Sequence, residues 1–492
     1  MKNFNVAANF NSRLFLINGG IFRCGVKPQF AECAAVDSLS QDRGDITKVE
    51  CPSKHRYGEF DEVYSFSGEL SRVTTTLTTY MSHKSASQFA NLFRDDCSFD
   101  LHVHFGECQN PSDFNQYDKA LILSDVRTTS WGTDPLGVLS AADKGVVQET
   151  LEVSAAYILE VINLKYGRTG TASVTDGEIV AAVVADTKTC GGTCGDSSDG
   201  CQVVFMVTDD GFLYYSTDGG YNWEKEEAVD VATNVTSIPV DLVVVGDTII
   251  VVTADDMLYS TSREAFLKDS STATWDVTDI SASATLAGSL VAADSAYDLG
   301  VLVGAGGVIL SVDMYGEVRV EENGGLTASD LNAVDVGSEG VLIGGSAGTV
   351  LFSPDGTNFE VAVSAPSAAA ISSVLMKSEK NWIVGTETGE LWCTDNQGVT
   401  WERVTFPGWA GATTPVVSLQ SSGPHVVYMI QNNKFLRSID GGSSWIVQPS
   451  NTKTPFPTAT LTTIAACYDD VNKVVVAGVN GGVGTVIVGE PN

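Results

Sequence analysis

Between residue 210 and residue 492, one short phrase returns six or seven times at a spacing of about 44 residues, a period that few architectures satisfy. Its clearest copies run from Ser216 through Asp218 and Gly220 to Trp223, and from Ser438 through Asp440 and Gly442 to Trp445. A third copy, Thr394, Asn396, Gly398 and Trp401, has an amide where the others carry a carboxylate. Weaker echoes lie at Ser353, Asp355, Gly356 and Phe359, and at Ser311, Asp313 and Gly316. The loosest is Tyr259-Ser260-Thr261, with Trp275 as its aromatic residue.

Each copy reads as a hairpin turn. The hydroxyl and the carboxylate or amide accept hydrogen bonds from nearby backbone N–H groups, replacing ladder bonds lost at the turn. Glycine supplies a positive φ that most residues resist. The closing Trp or Phe begins the next strand and wedges between neighbouring sheets. Burying one such ring removes about 150–250 Å² from water, roughly 4–6 kcal/mol as an upper bound. Two apolar strands precede each turn, for example residues 202–207 and 213–216, 340–344 and 349–353, and 381–385 and 390–393. Four strands of about six residues plus four short turns fill roughly 44 residues, and the strands show no period of 3.6. A mainly β fold with a β-propeller over residues 171–492 is expected. Seven blades fit best, and six remain an alternative because residues 224–310 are poorly patterned. The last unit has its inner strands at 471–478 and 485–489, and a strand from before the first blade, such as residues 173–186, would complete it. The phrase resembles the Asp-box, or bacterial neuraminidase repeat, of sialidases and other propellers. That resemblance implies structural turns on the rim, away from the axial pocket where enzymes of the class work.

Charge is unevenly spread. Residues 1–170 carry 16 Lys+Arg against 21 Asp+Glu, net −5, and residues 171–492 carry 12 against 40, net −28. A surface so acidic repels nucleic acid and anionic membranes within a Debye length. No run of 18 apolar residues is present, and the Asn residues of the first 20 positions interrupt any signal-peptide reading, so no membrane insertion is expected. The ten cysteines are dispersed and do not spell a secreted disulfide framework. One cluster, Cys190, Cys194 and Cys201, offers three thiolates to a metal with a fourth ligand. A local Cys190–Cys194 disulfide or free thiols explain it better, since no histidine lies near. No cofactor is expected.

The first 170 residues read as a separate, compact α+β unit, one helix on a sheet or sandwich of about seven strands. Strand signals run through residues 45–51, 60–68, 69–80, 98–105, 119–128, 147–154 and 158–166, and residues 84–94 read as an amphipathic helix. His102 and His104 share one strand face; they are candidate metal ligands, or alternating residues of a solvated strand. No Ser/His/Asp arrangement, phosphate-binding glycine loop or His-Glu metal helix is present, and no enzymatic activity is expected. Two long loops at residues 105–117 and 131–146, and an arm over residues 1–43, suit contacts with neighbouring copies.

Over residues 40–168 the order of segments resembles a major tail tube protein of long, flexible-tailed bacteriophages. The likeness rests on the Thr-rich strand "TTTLTTY", the single helix, and the loop "TSWGTDPLG" before "ETLEVSA". It implies a sandwich whose copies close into rings, six to a ring in that family, that stack into a DNA conduit with decoration outside. On that reading the chain is a virion protein of the phage tail, assembled in the host cytoplasm. Its partners are itself, other tail proteins, DNA passing without specific binding, and host glycans at the propeller. Two alternatives remain: a glycan-binding or glycan-cleaving propeller, and an intracellular assembly factor using its propeller to bind proteins. Against cleavage, the propeller has only Arg263, Arg319, Arg403 and Arg437, and sialidases gather three arginines around their substrate carboxylate.

Overall fold

The computed structural model describes residues 12–18, 24, 28–40, 47–52, 60–66, 72–80, 98–106, 113–115, 117–134, 148–168, 177–185, 203–227, 238–268, 270, 273–280, 289–296, 298–320, 326–405, 413–449, 460–467, 470–480 and 483–490. The fold is mainly β. It divides into two units, Met1–Gly20 with Pro28–Ile162, and Ile21–Lys27 with Asn163–Asn492.

In the first unit, β1 (Ser12–Asn18), β2 (Gln29–Ser40), β3 (Thr47–Pro52), β4 (Phe60–Phe66), β5 (Val73–Tyr80), β6 (Phe99–Phe105), β7 (Lys119–Asp134), β8 (Gln148–Ala155) and β9 (Tyr157–Ile162) follow in order. Seven of them form one sheet, β6-β1-β2-β5-β8-β7-β9, which returns on itself because β6 also pairs with β7. The long strand β7 makes this possible. Its first half pairs with β6 and β9, and from Arg127 onward it pairs with β8. β3 and β4 form a separate hairpin. Leu14, Leu16, Leu77, Leu101, Val103, Leu121, Leu151 and Val153 share the enclosed core.

Two expectations for this unit need correction. Residues 1–43 are not simply an arm, because β1 and β2 are integral strands of the sheet. His102 and His104 are not on a solvated face either; they are 0% and 1% exposed. A second apolar layer covers that face. Phe15 of β1 lies 4.8 Å from the His104 ring, and Phe114 and Tyr117 from the following loop lie 4.8 and 5.0 Å from it. Arg13 extends over the Phe15 ring and donates from Nη1 to the Asp113 carbonyl at 2.9 Å. Part of the loop assigned to contacts between copies is thus spent on its own sheet. The expected helix at 84–94, and residues 135–146 of the second loop, lie outside the described residues.

In the second unit the described residues form seven four-stranded antiparallel sheets. Sheet 1 runs from its inner strand Ile179–Ala185 through Val203–Thr208 and Phe212–Ser216 to Glu224–Glu227. Sheets 2 to 6 repeat the pattern from inner strands Pro239–Val245, Leu290–Ala296, Leu331–Gly337, Ile371–Met376 and Val416–Ser422. Sheet 7 consists of Thr460–Ala466, Val474–Asn480 and Val483–Glu490, with Lys165–Arg168 as its fourth strand. Inner strands neighbour one another in sequence order, and sheet 7 returns to sheet 1. Here a third expectation fails: the closing strand is Lys165–Arg168, and the 173–186 region instead supplies the inner strand of sheet 1.

Cores lie between consecutive sheets, as face-to-face packing demands. Between sheets 5 and 6, for example, Leu375, Ile383 and Leu391 meet Val427, Met429, Leu436 and Trp445. Cys24 packs partly buried against this cluster and is disulfide-bonded to Cys393, with Cα atoms 5.6 Å apart. The dispersed spacing of the cysteines points away from such a bond. A pair 369 residues apart leaves no local signature.

Candidate functional site

Four of the repeated turns share one hydrogen-bond pattern. In the sheet 6 turn, Ser438 Oγ donates to Asp440 Oδ1 at 2.7 Å and accepts the Gly442 N–H at 2.7 Å. Asp440 Oδ1 accepts from Ser443 and Ser444 N–H at 3.1 and 2.8 Å, and Trp445 Nε1 returns to the Gly442 carbonyl at 2.9 Å. Ser216, Asp218, Gly220 and Trp223 repeat every one of these roles in sheet 1. With Thr394 and Asn396 the amide oxygen replaces the carboxylate, and Trp401 donates instead to the Ser364 carbonyl. Ser353 and Asp355 build the shorter version, closing on Thr357 and Asn358. In the turn after Ser311, Asp313 Oδ1 accepts from the Tyr315 and Glu317 N–H groups.

These turns fasten sheets together. Gly442 has φ 99°, and a Cβ there would stand 2.5 Å from Ile383 Cδ1 of sheet 5. Gly220, at φ 96°, presses in the same way on Val475 of sheet 7. Burial separates otherwise identical carboxylates. At Asp440 desolvation outweighs the bonds from Ser444 and Ser438 and pushes the carboxyl up. At Asp218 burial alone would do the same, but the Asn222 and Ser216 bonds overcome it and hold the carboxyl below its ordinary range. Sheet 2 departs from the pattern, because the helix α1 (Arg263–Lys268) takes the place of the turn. Its Phe266 packs against Tyr215 and Trp275, which is why residues 224–310 conceal their repeat.

The inner strands enclose an axial channel of about 330 Å³. Each of the seven carries a β-bulge at an equivalent place, between Ile179 and Ala181, Pro239 and Asp241, Leu290 and Ala292, Leu331 and Ala333, Ile371 and Ser373, Val416 and Ser418, and Leu461 and Thr463. A bulge leaves one residue out of the ladder and re-aims its side chain. Where that residue is polar it bridges to the next sheet. Asn332 Nδ2 donates to the Ile371 carbonyl at 3.2 Å, Ser372 Oγ to Val416 at 2.8 Å, and Thr462 Oγ1 to Ile179 at 2.9 Å. The charged groups on the channel wall are Asp241 and Asp294, with no basic residue among the described lining. Of the four arginines, Arg263 is buried on α1 beside Asp247, Arg403 lies on the outermost strand of sheet 5 beside Glu390, Arg319 is exposed on the outermost strand of sheet 3, and Arg437 is buried in the third strand of sheet 6. None lines the channel.

Cys190, Cys194 and Cys201 lie outside the described residues. Among the described residues no group of three or more His, Cys, Asp or Glu is placed to hold a metal, and no helix is long and apolar enough to cross a membrane.

Residues 322–488 match the family described as the DUF6242 beta propeller domain. The second unit carries a β-propeller domain. Among solved structures the chain is similar to YCF48 from Cyanidioschyzon merolae, at 13% identity and a TM-score of 0.49, over 66% of this chain and 99% of that one. A structure of YCF48 bound to D1 peptide is similar at 12% identity and the same score, over 67% of this chain and 96% of that one. No curated protein matches. The channel aspartates escape sequence reading because a single Asp inside an apolar strand carries no motif.

Proposed function

We propose that the protein is a non-enzymatic binding protein whose seven-bladed, Asp-box propeller serves as a docking platform for a basic protein segment. The observation that carries this reading is charge. Residues 171–492 have 40 acidic against 12 basic residues, and the charged groups among the described channel lining are the two carboxyls of Asp241 and Asp294. Complementary potentials steer such encounters and make them sensitive to salt. None of the four propeller arginines is among the described residues that line the channel, which weighs against a carboxylate-holding sialidase pocket. Titration of the full chain with a Lys/Arg-rich peptide should show binding that weakens steeply with added salt, and a Glu-rich peptide should not bind. Equal affinity for both peptides, or none for either at low salt, overturns the reading.

A second reading concerns the first unit. The order of segments over residues 40–168, and the edge strand β9 with Tyr157 41% exposed, favour a tail-tube-like unit that associates with its own copies. In that case the chain is a phage-tail subunit assembled in the host cytoplasm, with rings stacked around passing DNA, other tail proteins at the ends, and the propeller outside facing host glycans. Negative-stain micrographs of the purified chain then show rings or tubes. A strictly monomeric protein at high concentration, in low and high salt, removes this second reading and leaves the first intact.

A further inference from the structure

Three consecutive inner strands carry an aspartate: Asp241 in sheet 2, Asp294 in sheet 3 and Asp335 in sheet 4. When the strands are aligned on their bulges, Asp294 and Asp335 fall at the same position. The other sheets have Val183, Val243, Leu375, Gln420 and Ala465 there. Each carboxylate reaches across a seam to the next inner strand and accepts a backbone N–H one position further along. Asp241 Oδ2 accepts from Ala293 at 2.7 Å, Asp294 Oδ2 from Val336 at 2.7 Å, and Asp335 Oδ2 from Met376 at 2.5 Å. An inner strand is the edge of its sheet, so these N–H groups have no ladder partner on that side. The three carboxylates supply one.

Among the described residues these groups are met by backbone N–H groups and by no basic side chain. The second strands behind them, Thr248–Thr253, Leu299–Gly304 and Gly340–Gly345, contain no titratable residue, and neither do the flanking inner strands Ile179–Ala185 and Ile371–Met376. The titratable groups of these strands are therefore Asp241, Asp294 and Asp335 themselves, and no basic group is among the described residues that line the channel beside Asp241 and Asp294.

We infer that Asp241, Asp294 and Asp335 form a proton-controlled clasp across the seams of sheets 2 to 5, tight while the carboxyls hold protons and loosened when they ionise. The physical balance supports this direction. Burial raises Asp241 to about 6 and Asp335 to about 7. Burial and the charge of Asp335 raise Asp294 as well, and its bond from Val336 opposes the shift without overcoming it. A carboxyl raised in the folded chain adds stability below its unfolded value and loses it as pH climbs through the folded value. The window therefore opens near about pH 4 and closes around neutrality.

The test is hydrogen–deuterium exchange of the full chain at about pH 5 and about pH 8, with rates corrected for intrinsic exchange. Peptides spanning 239–245, 290–296, 331–337 and 371–376 should lose protection at least roughly tenfold at the higher pH, the change between these two pH values when a carboxyl with a folded-state midpoint of about 6 gives up its proton. Peptides from 416–422, 460–466 and 179–185 should not. In the Asp241→Asn, Asp294→Asn, Asp335→Asn variant, whose amide oxygens still accept the N–H bonds but cannot ionise, the difference between arcs should vanish. An equal change in both arcs, or a difference that survives in the variant, overturns the inference. Should the triple variant fail to fold, infrared spectra of the Asp440→Asn chain decide, because Asp440 is the other described carboxyl that burial raises. A protonated-carboxyl band persisting above about pH 5.5 supports the clasp, and its absence there refutes it.

Discussion

Arg72 Nη1 stands 3.0 Å from Asp125 Oδ2, at the point where β7 exchanges one set of partners for another. Asp125 has φ 47°, in the left-handed region, and its own N–H donates to Asp100 Oδ1 at 2.9 Å. Arg72 Nε donates to Ser154 Oγ of β8 at 2.9 Å, and Nη2 reaches the carbonyls of Ser154 and Asp125. One guanidinium thus holds the corner through which the sheet closes. Because the pair is more than a third exposed, solvent screens it, and Arg72→Ala should cost about 1–2 kcal/mol rather than the full value of a buried charged network. Denaturant unfolding followed by near-ultraviolet circular dichroism measures that loss.

Acid should weaken the first unit through its buried histidines. Desolvation lowers His102 to about 3, and burial, His102 and Arg13 together lower His104. Both folded values lie below the unfolded one, so the unfolded chain takes up protons first. Stability is complete above about pH 6.5 and falls by about 1.4 kcal/mol for each histidine with every pH step of one below that. The His104→Phe variant should flatten this acid limb in denaturation midpoints taken between about pH 7 and about pH 4.

The turns that fasten the sheets should rank by burial and by what each hydroxyl accepts. Ser438→Ala leaves the buried Gly442 N–H and Asp440 short of a partner, a cost of about 1–3 kcal/mol. Ser353→Ala should cost less, because the shorter turn holds its N–H groups mainly through the exposed Asp355. Gly442→Ala should exceed both, since its Cβ would enter the space of Ile383 Cδ1 from a backbone conformation that alanine resists. Thermal melts of the three variants establish the order.

Peptide mapping without reductant should recover the Cys24 peptide joined to the Cys393 peptide. The paired Cys24→Ser, Cys393→Ser variant should lose about 2–4 kcal/mol against the oxidised chain and match it under reducing conditions.

Much of the second unit is legible in the sequence because its turns need particular chemistry. A hydroxyl, a carboxylate or amide two residues on and a glycine recur wherever the chain must reverse and press on the preceding sheet. Sheet 2 hides because α1 replaces that chemistry with a helix. The closing strand is easily misplaced because residues 179–185 form an apolar run that reads the same as any inner strand, and Lys165–Arg168 is too short to declare itself. In the first unit, β1 gives no alternating signal because Leu14 and Leu16 face one core while Arg13 and Phe15 face another. His102 and His104 read as solvated for the same reason, since alternation reports two environments only when one of them is water. The Cys24–Cys393 bond and the three seam aspartates depend on neighbours far away in the chain, which spacing alone does not encode.

The shared membership of sheet 7 constrains the order of events during synthesis. Lys165–Arg168 emerges from the ribosome early, yet its hydrogen-bonding partner, Val483–Glu490, is made more than three hundred residues later. Until then the ring has two unsealed ends, each exposing a sheet face that is later covered. A nascent chain of this protein can complete its first unit long before its second, and the waiting interval is when it most needs protection from association with other chains.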